Sequence, residues 1–397
     1  MESIEQMIKR LCPKGVEWKR LGDLLYSIRT GLNPRKFFSL NTPDATNYYV
    51  TIKEFKGGNL VFGNNTDMIN DEAMRLCNNR SHLEEGDLLF SGTGTIGEVL
   101  IVKETPRNWN IKEGVYALKP KTEEIKVEYL KHIMQNSSVK AKLESISEGG
   151  TVKSISMKKL ADFVIPVPPL EIQSRIVEIL DKMDTLTAEL EAELEARKQQ
   201  YEYYRNKLLS FSEIGGGIRF VKLGDVCELE RGKVFSKKYI EEHPGQYPVF
   251  SSQTANNGEL GKIDTFNYNG EFLTWTTDGA YAGTIFYREG KFSITNVCGL
   301  IKNNDTMFNI KFLFHWLRLV AKNYVYSGMG NPKLMSNQTA EILIPVLTMQ
   351  EQQRIVSILD RFEALTTDLQ SGLPAEIEAR RQQYEYYRNK LLTFEAV

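Results

Sequence analysis

Two long segments of the chain carry apolar residues at steps of mostly three and four, separated by charged and polar residues. The first runs from Phe163 to Phe211 and the second from Ile342 to Phe394. This spacing places the apolar side chains on one narrow stripe of an α-helix. Two core helices of ordinary globular domains are one interpretation. The length of the segments and the narrowness of the stripe favour long helices that pack on each other as a spacer.

The two segments are also copies of each other. The phrase RIV-x-ILD occurs at Arg175–Asp181 and Arg354–Asp360, and QQYEYYRNKLL occurs at Gln199–Leu209 and Gln382–Leu392. Such internal repeats constrain the architecture of the whole chain. In the second copy, Ser371-Gly372-Leu373-Pro374 interrupts the stripe, which continues as far as Leu369. Since Gly commonly ends a helix and Pro commonly begins one, we predict one helix in the first copy and two in the second.

Weaker repeats precede each helical segment. Leu21-Gly22-Asp23 matches Leu223-Gly224-Asp225, and Gly150–Ser154 resembles Gly330–Leu334. The chain therefore alternates between globular and helical regions. We predict a first globular domain, a central helical spacer, a second globular domain and a C-terminal helical spacer, spanning residues 1–165, 166–214, 215–345 and 346–397.

Each globular region has the pattern of a mixed α/β domain. In the first region, strand-like segments at Asp87–Phe90 and Glu98–Val102 flank a Gly/Thr turn. In the second, Phe272–Trp275 and Thr284–Tyr287 flank Thr276–Gly283. Helical segments follow at Val127–Met134 and Ile310–Val320. They carry His132 and His315 at matching positions, for which we expect a structural role.

The first turn, Ser91–Gly97, contains the pattern G-x-G-x-x-G. A dinucleotide site requires these glycines to lead from a strand into a helix. Here Val99–Val102 favour a strand instead, so we predict a turn between two strands. We expect Ser91, Thr93 and Thr95 on an exposed tip of the first domain. On the equivalent tip of the second domain we expect Thr276, Thr277 and Tyr281.

The composition narrows the function without identifying it. The 397 residues exceed one ordinary domain, and the net charge of −1 favours no particular partner. The four cysteines lack CxxC spacing and the four histidines do not cluster, so we expect neither a disulfide framework nor a metal site. Without a signal-like or membrane-spanning apolar run, we expect a soluble cytoplasmic protein. Phosphate-loop, zinc-protease and serine-nucleophile motifs do not occur, so the sequence does not argue for catalysis.

The repeats nevertheless resemble one family closely along essentially the whole chain. The phrases IPVPPLEIQ, RIVEILD, LTAELEAELEARKQQYEYYRNKLLSF and GGTVKSIS are similar to those of the DNA-specificity (S) subunits of type I restriction-modification systems. The resemblance implies an α+β fold in which two mixed α/β target-recognition domains are separated by two long helical conserved regions, packed as an antiparallel coiled coil. Each domain would read one half of a bipartite, asymmetric DNA target.

The resemblance also implies partners. They are double-stranded DNA, two modification (methyltransferase) subunits and restriction subunits, with no membrane. This chain would hold no cofactor, since S-adenosylmethionine belongs to the modification subunit and ATP and Mg to the restriction subunit. It would be a non-catalytic part of an adenine-N6 methyltransferase and ATP-dependent endonuclease. The alternatives are a coiled-coil scaffold that binds proteins without DNA readout, and an enzyme with a Gly-rich nucleotide loop.

Candidate site residues follow from these expectations. Hydroxyl, amide and basic side chains on exposed tips and edges are the groups that contact DNA. The candidates are Arg35, Lys36, Ser91, Thr93, Thr95, Thr151, Lys153, Lys233, Lys237, Ser252, Gln253, Thr277, Tyr281, Asn331 and Lys333. Lys153 and Lys333 occur in both halves, so we assign them to phosphate. For partner binding, the residues shared by the helical repeats are Gln199, Gln200, Tyr203, Arg205, Gln382, Gln383, Tyr386 and Arg388.

Overall fold

The computed structural model describes residues 2–150, 152–211, 217–326, 330–368 and 371–394, apart from the side chain of Arg35. The chain divides into two compact units. The first unit comprises Met1–Glu191 together with Ile377–Val397, and the second comprises Ala192–Glu376. Both helical repeats are therefore divided between the units rather than forming units of their own.

The first unit combines four sheets with helices. Its strands are β1 (Glu17–Arg20), β2 (Leu25–Thr30), β3 (Asn47–Val50), β4 (Phe55–Lys56), β5 (Asn59–Leu60), β6 (Met68–Ile69), β7 (Leu88–Ser91), β8 (Val99–Ile101), β9 (Trp109–Ile111), β10 (Val115–Pro120) and β11 (Val164–Val167). Its helices are α1 (Ile4–Leu11), α2 (Pro34–Phe37), α3 (Asp71–Ser81), α4 (Val127–Gln135), α5 (Ser137–Ser145), α6 (Met157–Ala161) and the beginning of α7 (Leu170–Leu208). The main sheet has the order β2-β10-β7-β8, and smaller sheets have the orders β1-β11, β6-β3-β9 and β4-β5.

The second unit is built in the same way around a larger sheet. Its strands are β12 (Phe220–Lys222), β13 (Cys227–Arg231), β14 (Pro244–Phe250), β15 (Glu259–Ile263), β16 (Tyr268–Thr276), β17 (Ile285–Ile294), β18 (Cys298–Asn303) and β19 (Leu343–Pro345). Its helices are the end of α7, α8 (Leu223–Val226), α9 (Lys237–Glu242), α10 (Ile310–Val320), α11 (Ser336–Ala340) and α12 (Met349–Thr367). The last helix of the chain, α13 (Leu373–Leu392), lies mostly in the first unit.

The two units share a strand order that their sequences barely reveal. The order β2-β10-β7-β8 recurs as β13-β18-β16-β17, and β14 and β15 extend the second sheet. The pair β1-β11 likewise recurs as β12-β19. The repeated Leu-Gly-Asp segments have a packing explanation. A Cβ added to Gly22 would lie 3.0 Å from the Cβ of Ala161, and one added to Gly224 would lie 2.8 Å from the Cβ of Ala340.

The helical repeats follow the sequence prediction. The first copy forms a single helix of 39 residues, α7. The second copy ends its first helix at Thr367 and resumes at Leu373, so the predicted break is confirmed; Leu369 lies outside the described residues. In the first unit, Tyr384 of α13 contacts His132, which in turn contacts Asp181, and Arg381 pairs with Glu191. Residue numbers therefore fall along α13 as they rise along α7, so the two helices are antiparallel.

Each end of α7 contributes to a different hydrophobic core. Ile172, Ile176 and Leu180 are buried in the core of the first unit, to which α13 adds Leu392. Tyr201 and Leu209, near the other end of α7, belong to the core of the second unit. There they join Ile355, Val356 and Leu359 of α12. The RIV-x-ILD end of each repeat therefore packs on the domain that precedes it, and the QQYEYYRNKLL end packs on the other domain.

A buried glutamine fastens each helical repeat to its preceding domain. In α7, Gln173 accepts a hydrogen bond from Lys126 N (2.9 Å) and donates to the carbonyls of Glu124 (3.0 Å) and Pro168 (2.8 Å). In α12, Gln352 accepts from Asn309 N (2.8 Å) and donates to the carbonyls of Met307 (2.7 Å) and Leu347 (3.0 Å). Both side chains are fully buried, so these bonds satisfy backbone groups that water does not reach.

The matched histidines have the structural positions that we expected. Both are fully buried, and Nε2 of His132 and of His315 lies 2.8 Å from Oδ1 of Asp181 and of Asp360, respectively. The hydrogen bond from His132 lowers the pKa of Asp181. Burial raises the pKa of Asp360, but hydrogen bonds from His315 and Lys311 outweigh burial, so its pKa is also lowered. A second polar contact thus joins each spacer helix to its domain.

The glutamine contacts generate a stability prediction. Gln352→Leu leaves one buried N–H and two carbonyls without their partner, so we expect the free energy of unfolding of the second unit to fall by about 2 to 4 kcal/mol. Urea unfolding, with hydrogen exchange to localise the effect to this unit, measures it. Gln350→Leu is the matched control because Gln350 is exposed on the same helix, and its effect should stay within about 0.5 kcal/mol. Equal effects of the two substitutions would contradict the prediction.

Candidate functional site

The Gly/Thr turns lie between strands in both units. β7 and β8 are antiparallel neighbours on either side of the first turn, and β16 and β17 flank the second. The glycines of G-x-G-x-x-G thus lead into a strand, so the phosphate-binding helix terminus of a dinucleotide site does not follow them. The prediction of a strand–turn–strand arrangement is confirmed.

Each turn is hydrogen-bonded to the loop that precedes α6 or α11. In the first unit, bonds run from Gly94 N to Lys153 O (2.9 Å), from Ile155 N to Gly92 O (2.9 Å), and between Glu148 and Ser154 in both directions (2.7 Å each). In the second unit, they run from Gly279 N to Pro332 O (3.0 Å), from Leu334 N to Thr277 O (2.8 Å), from Tyr326 N to Lys333 O (2.8 Å) and from Lys333 N to Tyr326 O (3.0 Å). We call these two arrangements the first and second clip.

Each clip joins the Gly/Thr turn to the weakly repeated loop before α6 or α11, more than fifty residues later in the chain. The matching hydrogen bonds of the two clips also establish which residues correspond. Ser154 occupies the position of Lys333, and Lys153 occupies that of Pro332. The expectation that Lys153 and Lys333 are equivalent is therefore wrong by one residue. A shift of one residue matters because adjacent side chains of an extended segment point to opposite faces.

The tip of the first unit is only partly exposed. Thr93, Thr95 and Lys153 are exposed, as the sequence predicted, whereas Thr151 lies outside the described residues. Ser91 is buried, and its hydroxyl donates to the carbonyl of Thr95. The expected exposure of Ser91 is therefore wrong, because its hydroxyl shapes the turn from inside.

The tip of the second unit likewise contains both exposed and buried residues. Tyr281, Asn331 and Lys333 are exposed. Thr276 and Thr277 are buried, contrary to expectation. The Thr276 hydroxyl donates to the carbonyl of Tyr281, and that of Thr277 donates to Val297 O at 2.7 Å. These two threonines are therefore engaged in holding the loop.

The remaining DNA candidates lie on two short helices and in loops. In the first unit, Lys36 is exposed on α2, which also contains Arg35. In the second unit, Lys233 pairs through its backbone with Thr295, and Lys237 is the exposed first residue of α9. Contact with DNA stays a prediction for each of these residues.

Ser252 and Gln253 lie in one loop but in different settings. Ser252 shares the Val297 carbonyl with Thr277 and also contacts Asp278 Oδ1 at 3.2 Å, which brings it beside the second clip. Gln253 is exposed, and its amide donates to the carbonyl of Glu259.

Two exposed residues at these tips were not among the candidates predicted from the sequence. Lys112 pairs through its backbone with Leu32, and the same turn contains Gly114, whose carbonyl accepts from Gly92 N at 2.8 Å. Tyr326 belongs to the second clip and is 65% exposed. The signal for Lys112 was the turn between two strand-like segments. For Tyr326 no local signal existed, since its place depends on pairing with Lys333.

The partner-binding candidates differ in exposure. Tyr203 and Tyr386 are about equally exposed, at 60% and 61%, and each stacks edge-on with the next tyrosine at 5.3 Å. Arg205 and Arg388 are instead half-buried, and their guanidinium groups lie 5.7 Å and 5.0 Å from the ring centres of the tyrosines four residues earlier. A substitution at either arginine would therefore also disturb packing within its own unit.

The glutamines of the repeats flank these tyrosines. Gln199, Gln382 and Gln383 are exposed, whereas Gln200 is half-buried and accepts a hydrogen bond from Arg197 at 2.9 Å. For the glutamines, tyrosines and arginines alike, partner binding stays a prediction.

Two groups of side chains have the composition of metal ligands. They are His132 with Asp181 and Asp184, and His315 with Asp360 and Glu363. Cationic side chains already neutralise these carboxylates. Lys131 Nζ lies 3.6 Å from Asp184, Lys311 Nζ lies 2.8 Å from Asp360, and Arg318 lies 2.7 Å from Glu363. Both groups are therefore better explained as polar contacts between domain and helix.

Comparison with known proteins identifies the family. The model of the type I restriction modification DNA specificity domain matches residues 13–197 and again residues 216–379. These two matches cover most of the chain and correspond to its two halves. The chain therefore belongs to the type I restriction-modification DNA-specificity family.

Relatives and solved structures agree with this assignment. A putative type I specificity subunit of Mycoplasma pneumoniae is 39% identical over 255 residues, which are 63% of this chain and 93% of the relative. The crystal structure of the S subunit of a type I restriction-modification system from M. genitalium matches with a TM-score of 0.61 and 16% identity, covering 96% of this chain and 97% of that one. A structure from a study of type I complex assembly and conformational transition matches with a TM-score of 0.62 and 18% identity. The match covers 96% of this chain and 98% of that one.

These findings confirm the fold class and the general role. The chain is the DNA-recognising component of a type I restriction-modification system, and members of this class are generally not catalytic. The similarity to the two solved structures supports only the fold, because their sequence identities to this chain are low. Among the described residues, none of the helices combines the length and apolar character needed to cross a membrane.

Proposed function

We propose that this chain reads a bipartite, asymmetric DNA target and docks two modification subunits. The observation that carries the proposal is the contrast between the units and the repeats. The two units share a sheet order and a clip but diverge in sequence, whereas the helical repeats are almost identical at both of their ends. Two different readers suit an asymmetric target, and two copies of one surface suit two identical partners.

Each reader would use its tip in the same general way. Exposed lysines, such as Lys36 and Lys112 in the first unit and Lys233 in the second, would contact phosphates and set the position of the chain on the duplex. Polar side chains of the tips would contact base edges in the grooves.

In the proposed complex this chain supplies recognition and the partners supply chemistry. S-adenosylmethionine would be held by the modification subunits, and ATP and Mg by the restriction subunits. The residues of this chain would position the partners relative to the DNA. An electrophoretic shift on mixed genomic fragments, with and without the modification subunit, separates this role from that of a protein scaffold. A scaffold without readout would give no shift in either case.

Domain exchange tests whether the two readers are independent. Replacing residues 17–167, which extend from β1 to β11, with the matching unit of a related subunit should change one half-site and leave the other unchanged. The physical reason is that the sheet and clip of each unit are internally complete. Mapping of methylated sites in host DNA is the measurement. A change in both half-sites, or in neither, would overturn the two-reader model.

The exposed tyrosines test docking. We expect Tyr203→Ala with Tyr386→Ala to weaken binding of the modification subunit about 30-fold or more, because large exposed aromatic side chains often dominate interfaces. Co-purification and a binding titration would measure this. The control is Glu195→Ala with Glu378→Ala, since these exposed residues also occupy equivalent positions in the two repeats. Unchanged binding by the tyrosine variant would show that the partner docks elsewhere.

The length of α7 is expected to set the gap between the half-sites. Leu186, Leu190 and Leu194 form a run with steps of four inside this continuous helix. A four-residue Thr-Ala-Glu-Leu insert after Leu190 adds roughly 6 Å and a net rotation of about 40°. One base pair of DNA advances about 3.4 Å and turns about 35°. The reader would therefore keep facing its groove, and tilt or slight DNA deformation would absorb the excess length.

We accordingly expect this insert to lengthen the non-specific spacer by one or two base pairs, with both half-sites unchanged. Methylation mapping of the insert variant is the measurement. A single inserted Ala is the control, because it rotates the helix by about 100° and should abolish methylation. An unaltered spacer in the four-residue variant would show that α7 does not set the gap.

A further inference from the structure

The two clips are the same backbone structure carrying different side chains. In the first clip, Ser154 forms antiparallel bridges with both Thr93 and Glu148. In the second clip, Lys333 forms the equivalent bridges with Asp278 and Tyr326. Side chains of directly paired residues lie on the same face of a sheet. Each clip therefore presents one row of three neighbouring side chains.

Asp278 is engaged by the fold, since its Oδ1 lies 3.2 Å from the Ser252 hydroxyl and 3.4 Å from that of Thr277. Apart from Asp278, little in the fold requires the particular side chains of these rows. The clips are closed by backbone hydrogen bonds, which most residues supply equally well. In the second row Lys333 is exposed and Tyr326 is 65% exposed, and the described residues provide no hydrogen-bond partner for the Tyr326 hydroxyl. In the first row Thr93 and Glu148 are exposed, although Glu148 forms an ion pair with Lys159 at 2.7 Å.

We propose that these two rows are the side chains that determine which bases each reader selects. This inference rests on the proposed function of the units as DNA readers. The first row, Thr93–Ser154–Glu148, offers hydroxyls and a carboxylate. The second row, Asp278–Lys333–Tyr326, offers a carboxylate, an ammonium group and an aromatic ring. A shared backbone places both rows alike, so the side chains alone distinguish them.

The chemistry of each row indicates the bases that it selects. A carboxylate accepts a hydrogen bond from the amino group of cytosine, and hydroxyls contact several bases. The first row therefore suits bases that present an amino group. An ammonium group donates to O6 and N7 of guanine, and an aromatic ring makes apolar contact with the thymine methyl group. The second row also contains a carboxylate, but its lysine and tyrosine additionally suit guanine or thymine.

The test exchanges one row for the other at matched positions. The triple variant Asp278→Thr, Lys333→Ser and Tyr326→Glu gives the second clip the row of the first. Full-length chain, assembled with the modification subunit, is used to select bound sequences from a random DNA pool, and methylated sites are then mapped. We expect the preference at one or more positions of one half-site to change by roughly tenfold, with the other half-site and the spacer unchanged.

One control variant and one single variant accompany the triple variant. Lys322→Ser removes the same charge from an exposed position of the same unit and should leave the selected sequence unchanged. The single variant Lys333→Ser alters one exposed side chain and should by itself weaken the preference for guanine. It keeps the proposal testable if the triple variant does not fold.

The outcomes separate this inference from the proposed function. If the triple variant and Lys333→Ser both selected the original half-site, the assignment of the rows would be overturned. An equal loss of affinity for all sequences would also overturn it, since the rows would then contact phosphates only. If the unaltered chain selected no bipartite sequence in complex with its partner, the proposed function itself would fail.

Discussion

The structure depends on one narrow apolar stripe along each helical repeat, whose two ends are buried by different domains. An isolated helix cannot bury such a stripe, so it must pack against other elements. The stripe of α7 enters the first core through Ile172 and Ile176 and the second core through Tyr201 and Leu209. Each repeat therefore fits two different domains at once. This double requirement gives a physical reason for the near identity of the repeats beside the divergence of the domains.

The buried glutamines and histidines fix the orientation of each spacer helix on its domain. Apolar contacts tolerate small rotations of a helix, whereas Gln173 and Gln352 must each satisfy three backbone groups at fixed places. The contacts of His132 with Asp181 and of His315 with Asp360 lie about two helical turns further along each helix. Together these polar contacts fix how each spacer helix leaves its domain. If α7 sets the gap between two half-sites, as proposed, such fixed angles matter more than extra stability.

Features set by local periodicity were predictable from the sequence. The long helix α7, the break after Thr367 and the strand–turn–strand at Ser91–Gly97 all follow from spacing and from Gly and Pro. Features that depend on pairing between distant parts of the chain could not be predicted from the sequence. Ser154 corresponds to Lys333 because each pairs with Glu148 or Tyr326 and the residues beside it bond to a turn more than fifty positions earlier. A sequence pattern does not show these backbone bonds.

The burial of the turn hydroxyls was missed for a different reason. Ser91, Thr276 and Thr277 have the composition of an exposed turn, but each finds a carbonyl acceptor: Ser91 and Thr276 within their own loops, and Thr277 at Val297, just before β18. A hydroxyl whose hydrogen bond is satisfied internally no longer needs water, so residue type alone does not determine its exposure. The family resemblance, by contrast, rests on the helical repeats and needed no knowledge of the tips.

The return of α13 to the first unit has a consequence for biosynthesis. The second unit is continuous in sequence, so all of its parts have been made once residue 376 has been added. The first unit begins earlier but lacks Leu392 until α13 has been made. Domains usually fold in the order of their synthesis. Here the half that is made first is completed last, and a ribosome that stops early releases a chain whose N-terminal core is still open.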